Sequence, residues 1–352
     1  MKPFALGLVL CLVATGSTAM VFCPSGSLAS DKAPQAGAVR GVYALSNKTQ
    51  PLTDWVINHP DIDGTSLRAS WSDVQPVEDM PAWLFDAQIA RAGRAGKRVI
   101  LCVWSGFRTP DWVYQAGAQP FTYVESIRFQ ATHDETQRIP IPWDAVFLSK
   151  WTGFIKMLGR KYNGNSAVAL VHLAGPAHLG PEMHLPDKPA DRRHWAEVGY
   201  TPAKLVHAWK VIIDAYAEAF PNKLLAINVS QPIYYNDRVV ENVLAYAHAK
   251  LGPRLALQQD ALSAKVRAEF KPHQWVCSYR GKALLGFQLL CPVTPRGKFN
   301  DEGRRLGGTL GEAFDIGLKA GGSYFEIYPI DLKEAAAAKD IHDLAVALRK
   351  QR

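Results

Sequence analysis

Residues 167–184 read Ala-Val-Ala-Leu-Val-His-Leu-Ala-Gly-Pro-Ala-His-Leu-Gly-Pro-Glu-Met-His. The first eight positions are almost wholly apolar and follow the polar turn at 161–166, the pattern of a strand buried on both faces. Gly175 and Pro176 end the run, so the following loop carries Glu182, with His178 and His184 on either side, beyond the strand's C-terminal end. In a barrel or an open α/β sheet, loops at that end hold the chemistry, whereas the opposite end mostly serves stability.

Seven further runs of this kind can be drawn. The eight predicted strands are 41–45, 64–69, 98–104, 167–173, 224–229, 255–259, 283–290 and 323–328. Between them lie segments with helical periodicity at 81–95, 148–162, 202–220, 237–249 and 309–320, a short helix between Leu262 and Lys282, and a closing helix at 332–349. Thr201 and Pro202 form the best-marked helix start, a capping hydroxyl followed by proline at the first helical position. Strands alternating with helices predict a parallel sheet covered by helices. Eight of them predict a closed (β/α)8 TIM barrel with long strand-end loops.

At the N-terminus, Lys2 precedes an apolar stretch over 4–14 and then Thr-Gly-Ser-Thr-Ala, which reads as a signal peptide over 1–20. The stretch is too short for a membrane span, so no integral membrane protein is expected. Residues 21–38, rich in Pro, Gly, Ser and Ala, read as a flexible leader, and 39–352 as a single barrel domain. The expected location is secreted or periplasmic, and the expected state is a monomer. In that compartment Cys277 and Cys291, which flank one strand, can close a loop, while Cys102 reads as a core thiol. The net charge of +8 is scattered, without a basic stripe interleaved with aromatics, so nucleic acid is not an expected partner. Acidic polysaccharides are compatible with it.

Two loops are long. Residues 105–146 carry Trp112, Tyr114, Phe121, Tyr123 and Trp143, and residues 176–200 carry Trp195. Long ordered loops without secondary structure of their own are usually functional. Trp71, Trp104, Trp112, Trp143 and Trp195 fall at or beyond strand ends, where flat rings can cover the C–H faces of sugars; loop packing is the competing reading. Arg68 and Arg108 share that end and can bind a substrate carboxylate or pair with a catalytic acid. Asn228, Gln231, Gln258, Gln259 and Gln288 supply neutral hydrogen-bonding groups, and Tyr328 ends the eighth strand.

The ordered set Trp71-Ser72-Asp73-Val74-Gln75-Pro76, Trp143-Asp144, Trp151, Tyr162 and the loop through Glu182 resembles the large clan of retaining glycoside hydrolases built on (β/α)8 barrels, near its cellulase-like and beta-galactosidase-like members. The resemblance spans most of the chain after the leader and implies hydrolysis of glycosidic bonds in an oligo- or polysaccharide. It also implies an acid/base glutamate after the fourth strand, matched in order by Glu182 although Pro181 stands where the clan has asparagine. A nucleophile glutamate should end the seventh strand, where this chain has Gln288. Glycosidic hydrolysis uses two carboxyl groups facing one bond. Glu326, Asp260 and Asp331 are the candidates for the second, with Glu326 first, because a carboxylate inside the apolar run at 323–329 is costly to bury without a role. The competing reading of Glu326 is a structural carboxylate tied to an arginine or to backbone amides. His178 and His184 are expected to tune Glu182 or bind hydroxyls.

No cofactor or metal is called for. His178, Glu182 and His184 are all legitimate ligand types, but their spacing matches no helical zinc motif and Pro181 breaks any helix through them. Dinucleotide, phosphate-loop and serine-elbow signatures are absent from the sequence. The alternative function is a catalytically silent, polysaccharide-binding barrel, suggested by Gln288 and by the missing asparagine before Glu182.

Overall fold

The computed structural model describes residues 39–47, 51–126, 132–294 and 305–351. The expected signal peptide and leader lie outside them. Among the described residues ten strands run in chain order: β1 Gly41–Asn47, β2 Gly64–Ser70, β3 Arg98–Trp104, β4 Pro120–Val124, β5 Thr136–Pro140, β6 Val168–His172, β7 Leu224–Asn228, β8 Leu255–Leu262, β9 Leu284–Leu289 and β10 Tyr324–Ile327. Eight of them close a parallel barrel in the order β1-β10-β9-β8-β7-β6-β3-β2, and β4 and β5 form a separate antiparallel hairpin. The (β/α)8 expectation holds, with each barrel strand starting and ending within three residues of its predicted limits.

Helices cover the outside, and their ends follow local chemistry. Ala145–Tyr162 starts where the Asp144 carboxylate accepts the Phe147 N–H, and Pro202–Ala219 starts where the Thr201 hydroxyl accepts the Lys204 N–H. Leu310–Ala320 opens on a reciprocal capping box between Thr309 and Glu312. The short helix after β8 is Lys271–Ser278, and Ala335–Lys350 ends the chain. Among the described residues no helix is long and apolar enough to cross a membrane.

The barrel interior has two layers, because alternate residues of each strand point inward. The lower layer is apolar: Tyr43, Ile100, Leu170, Leu224, Ala226, Ala256, Leu284 and Tyr324 pack together. Further along the strands the lining becomes polar, with Arg68, His172, Asn228, Gln258, Asp260, Gln288 and Glu326 near the C-terminal mouth.

Three expectations change. The segment 105–146 has secondary structure of its own, namely the helix Asp111–Gln115 and the β4–β5 hairpin, in which Phe121 and Tyr123 point into the core. Pro189–Glu197 is likewise helical within 176–200. Cys277 and Cys291 are not bonded to each other.

Candidate functional site at the barrel mouth

The β6 strand ends at His172, and the chain beyond it returns to the sheet at one point, where Glu182 forms a parallel bridge with Asn228 at the end of β7. That bridge sets Glu182 at the C-terminal mouth. The Asn228 amide donates to both oxygens of Asp260 on β8, at 2.9 and 2.7 Å, while its own oxygen lies 2.6 Å from His172 Nδ1. Gln258 Nε2 donates to Asp260 Oδ1 at 2.7 Å and to Glu326 Oε2 at 2.8 Å. Facing two carboxylates fixes which end of that amide is nitrogen.

Glu326 is completely enclosed. Its oxygens are engaged by the Arg68 guanidinium, Gln258 Nε2, His172 Nε2 at 3.3 Å and Ser66. Burial alone would raise its pKa, but the Arg68 charge and the His172 contact reverse this and bring it down to about 2. Glu326 therefore stays ionised, and Arg68 stays protonated beside it despite its burial.

Glu182 behaves in the opposite way. Although 29% of its side chain meets solvent, the dense surroundings of the mouth desolvate the carboxyl, and with the Asp260 charge they push its pKa up to about 8 against the pull of Arg68. Asp260 is also raised, first by burial and then by Glu326, with Arg68 opposing. Arg68 faces three carboxyl groups, and Glu326 already holds it closely. Glu182 and Asp260 thus titrate as a pair that retains a proton near neutrality.

His184 Nδ1 lies 3.2 Å from Glu182 Oε2, and burial with the nearby His178 lowers the His184 pKa to about 3, so this ring is neutral. His178 is buried and bonds through Nε2 to Glu125 Oε2 at 2.9 Å. Its pKa is lowered by burial, against the pull of Glu125.

The remaining expected residues lie in different settings. Trp71 is 0% exposed and packs against Trp112, Trp151 and Phe154, with its indole N–H on Gln75, so its faces are closed to ligand. Trp195 is also fully buried and stacks on Phe121. Trp104 is half-buried, and its Nε1 has no hydrogen-bond partner among the described residues. Arg108 is exposed over the Phe107 ring. Gln288 is buried beside Glu326 in the register of β9 and β10, and its Oε1 lacks a partner among the described residues. Tyr328 lines a rim cleft of about 340 Å³ with Leu52, Trp55, Pro329 and Lys333. Asp331 accepts the Val293 and Thr294 N–H groups and so anchors the loop after β9. Among the described residues no three His, Cys, Asp or Glu side chains converge as a metal-binding set.

Sequence reading misses Glu125, and His172, inside the fourth predicted strand, reads from the sequence only as a core or pocket histidine. A polar side chain at the end of an otherwise buried strand was the signal for His172. Glu125 gave none, because its partner lies 53 residues away.

No protein-family model matches the chain, and no curated protein does. Solved structures share the barrel. The beta-galactosidase of the psychrophilic Marinomonas ef1 superposes with a TM-score of 0.54 and 13% identity, over 88% of this chain and 59% of that one. Xylanase 10B from Thermotoga maritima gives 0.53 and 10%, over 90% and 98%. The beta-galactosidase of Bacillus circulans gives 0.53 and 11%, over 91% and 56%. The chain thus spans less than two thirds of these beta-galactosidases and nearly all of the xylanase. What it has in common with them is a closed eight-stranded parallel barrel of the kind found in several glycoside hydrolases.

Proposed function

We propose that this protein hydrolyses glycosidic bonds in an oligo- or polysaccharide, with Glu182 as proton donor and Asp260 as the partner carboxylate. The observation that carries this reading is the convergence of both acids on Asn228, through the Glu182 backbone bridge and the two Asn228–Asp260 hydrogen bonds. A carboxyl group held protonated near neutrality can deliver its proton to a leaving oxygen. Asp260 is favoured over Glu326 by lone-pair accounting. An ionised carboxylate offers about four acceptor sites. Arg68, Gln258, His172 and Ser66 crowd the oxygens of the fully enclosed Glu326, whereas Asp260, 9% exposed, receives three bonds from Asn228 and Gln258 and keeps one acceptor site for a water or a lone pair for attack on a sugar carbon. Glu326 then acts as a positioning residue that holds Arg68 and Gln258.

The glycosidase reading is further supported by the barrel shared with beta-galactosidases and xylanases. The test is sugar release by purified protein from a panel of neutral and acidic glycans, with Glu182→Gln and Asp260→Asn as controls. Each variant should lose roughly 10²-fold or more in kcat/KM while remaining folded. Full activity in Glu182→Gln would overturn the assignment, and glycan binding without turnover would favour the catalytically silent barrel.

A further inference from the structure

Besides its bridge to Asn228, the loop that carries Glu182 is held at several points through one residue, His178. The His178 N–H donates to the His184 carbonyl at 3.0 Å, pinching off the segment that presents Glu182. The His178 carbonyl accepts from Phe107 N–H at 3.3 Å, docking the segment on the turn Gly106–Arg108 after β3. The His178 side chain reaches Glu125, which follows β4, and its ring stands edge-on to His184 with centroids 5.7 Å apart. His184 in turn contacts Glu182. Contacts to a buried, paired side chain restrict its orientation, and through it that of the ring resting on it.

We propose that Glu125 and His178 are positioning residues for Glu182, holding its carboxyl through His184 in one orientation at the barrel mouth and shielding its inner oxygen from water. This rests on the role given to Glu182 above. The charged and titratable groups facing this chain are Asp260 on β8 and Arg68 on β2, acting on Glu182, and Asp191 in the helix Pro189–Glu197 acting on His178 beside Glu125. Tyr123 on β4 packs edge-on to the His178 ring. Loosening the chain admits water to Glu182 and moves its protonation toward that of an ordinary carboxyl group.

The test follows the Glu182 carboxyl by carbon-13 NMR in protein labelled at the glutamate side chains, its signal identified by its loss in Glu182→Gln. Glu125→Ala and His184→Ala should each lower its titration midpoint by more than one pH unit. Glu125→Gln, which keeps an acceptor for His178, should stay within half a unit of the parent protein. The basic limb of the pH–rate profile should move with the midpoint. An unchanged midpoint in folded Glu125→Ala, verified by its amide spectrum, would overturn the proposal, as would an equal fall in Glu125→Gln. Because the titration needs no substrate, a moved midpoint in a protein without glycosidase activity would leave the positioning chain standing and refute the catalytic reading alone.

Discussion

The guanidinium of Arg68 on β2 and the carboxylate of Glu326 on β10 form an ion pair inside the barrel, across the intervening β1 strand. Glu326 is fully enclosed and the Arg68 side chain is only 15% exposed, so removing one charge leaves the other poorly solvated. Glu326→Gln should destabilise the protein by about 3 kcal/mol in denaturant titration at neutral pH, with Asp260 absorbing part of the lost charge by ionising more readily. A loss under 1 kcal/mol would show that Arg68 is compensated elsewhere. The pH dependence has a definite sign. A carboxyl whose folded pKa lies near 2 adds stability above its unfolded value of about 4.5, and that stability is lost as pH falls from there toward 2. Glu326→Gln should remove this acid slope.

Glu182 should give the reverse slope. Its folded pKa near 8 exceeds the unfolded value, so the folded state binds more protons across that interval and stability falls as pH rises from about 4.5 to 8. Glu182→Gln removes the penalty. The variant should therefore melt higher than the parent protein at pH 8 and close to it at pH 4.5, while its activity is lost. Equal melting differences at the two pH values would mean that the Glu182 carboxyl is not raised.

How far the sequence reaches is visible in individual residues. The barrel strands were readable because burial on both faces makes their apolar runs continuous, and turns and caps such as Thr201-Pro202 mark where helices begin. The polar ring was partly readable too, since Asn228, Asp260, Gln288 and Glu326 each interrupt such a run near its C-terminal end. Trp71 shows the limit. It follows β2 directly, but a helical turn, Trp71–Val74, capped by Ser70, swings the indole outward from the mouth and into the helix layer. A strand-end position does not specify that rotation. The hairpin at 120–140 was signalled only by alternation of Phe121 and Tyr123 across five residues, too short a run to stand out within a long loop.

Trp71 yields a prediction that separates packing from sugar stacking. Its ring centroid lies 4.8 Å from that of Trp151 and 5.5 Å from that of Phe154, with no face open. Trp71→Ala should cost about 3–5 kcal/mol in denaturant titration. Glycan affinity per folded molecule should be unchanged, measured by calorimetry at a temperature where the variant is fully folded. A stable variant with weakened binding would return Trp71 to the ligand.

Gly106 tests whether the seating of the Glu182 loop matters for function. Its φ of +56° lies in the left-handed region, and a Cβ there would stand 2.4 Å from the His178 carbonyl oxygen. Two costs coincide. The backbone conformation disfavours any side chain, and the space is already taken by the carbonyl that accepts the Phe107 N–H. Gly106→Ala should therefore break the Phe107–His178 bond and lift the loop, with a global stability loss of about 1–3 kcal/mol and a larger, local rise in amide exchange over 176–185. Asparagine tolerates positive φ better than alanine, so the two variants separate the causes. If backbone conformation alone were limiting, Gly106→Asn would restore stability and exchange protection. Because the clash with His178 persists for any Cβ, both variants should be impaired alike, and Glu182 should titrate closer to an ordinary carboxyl group in each.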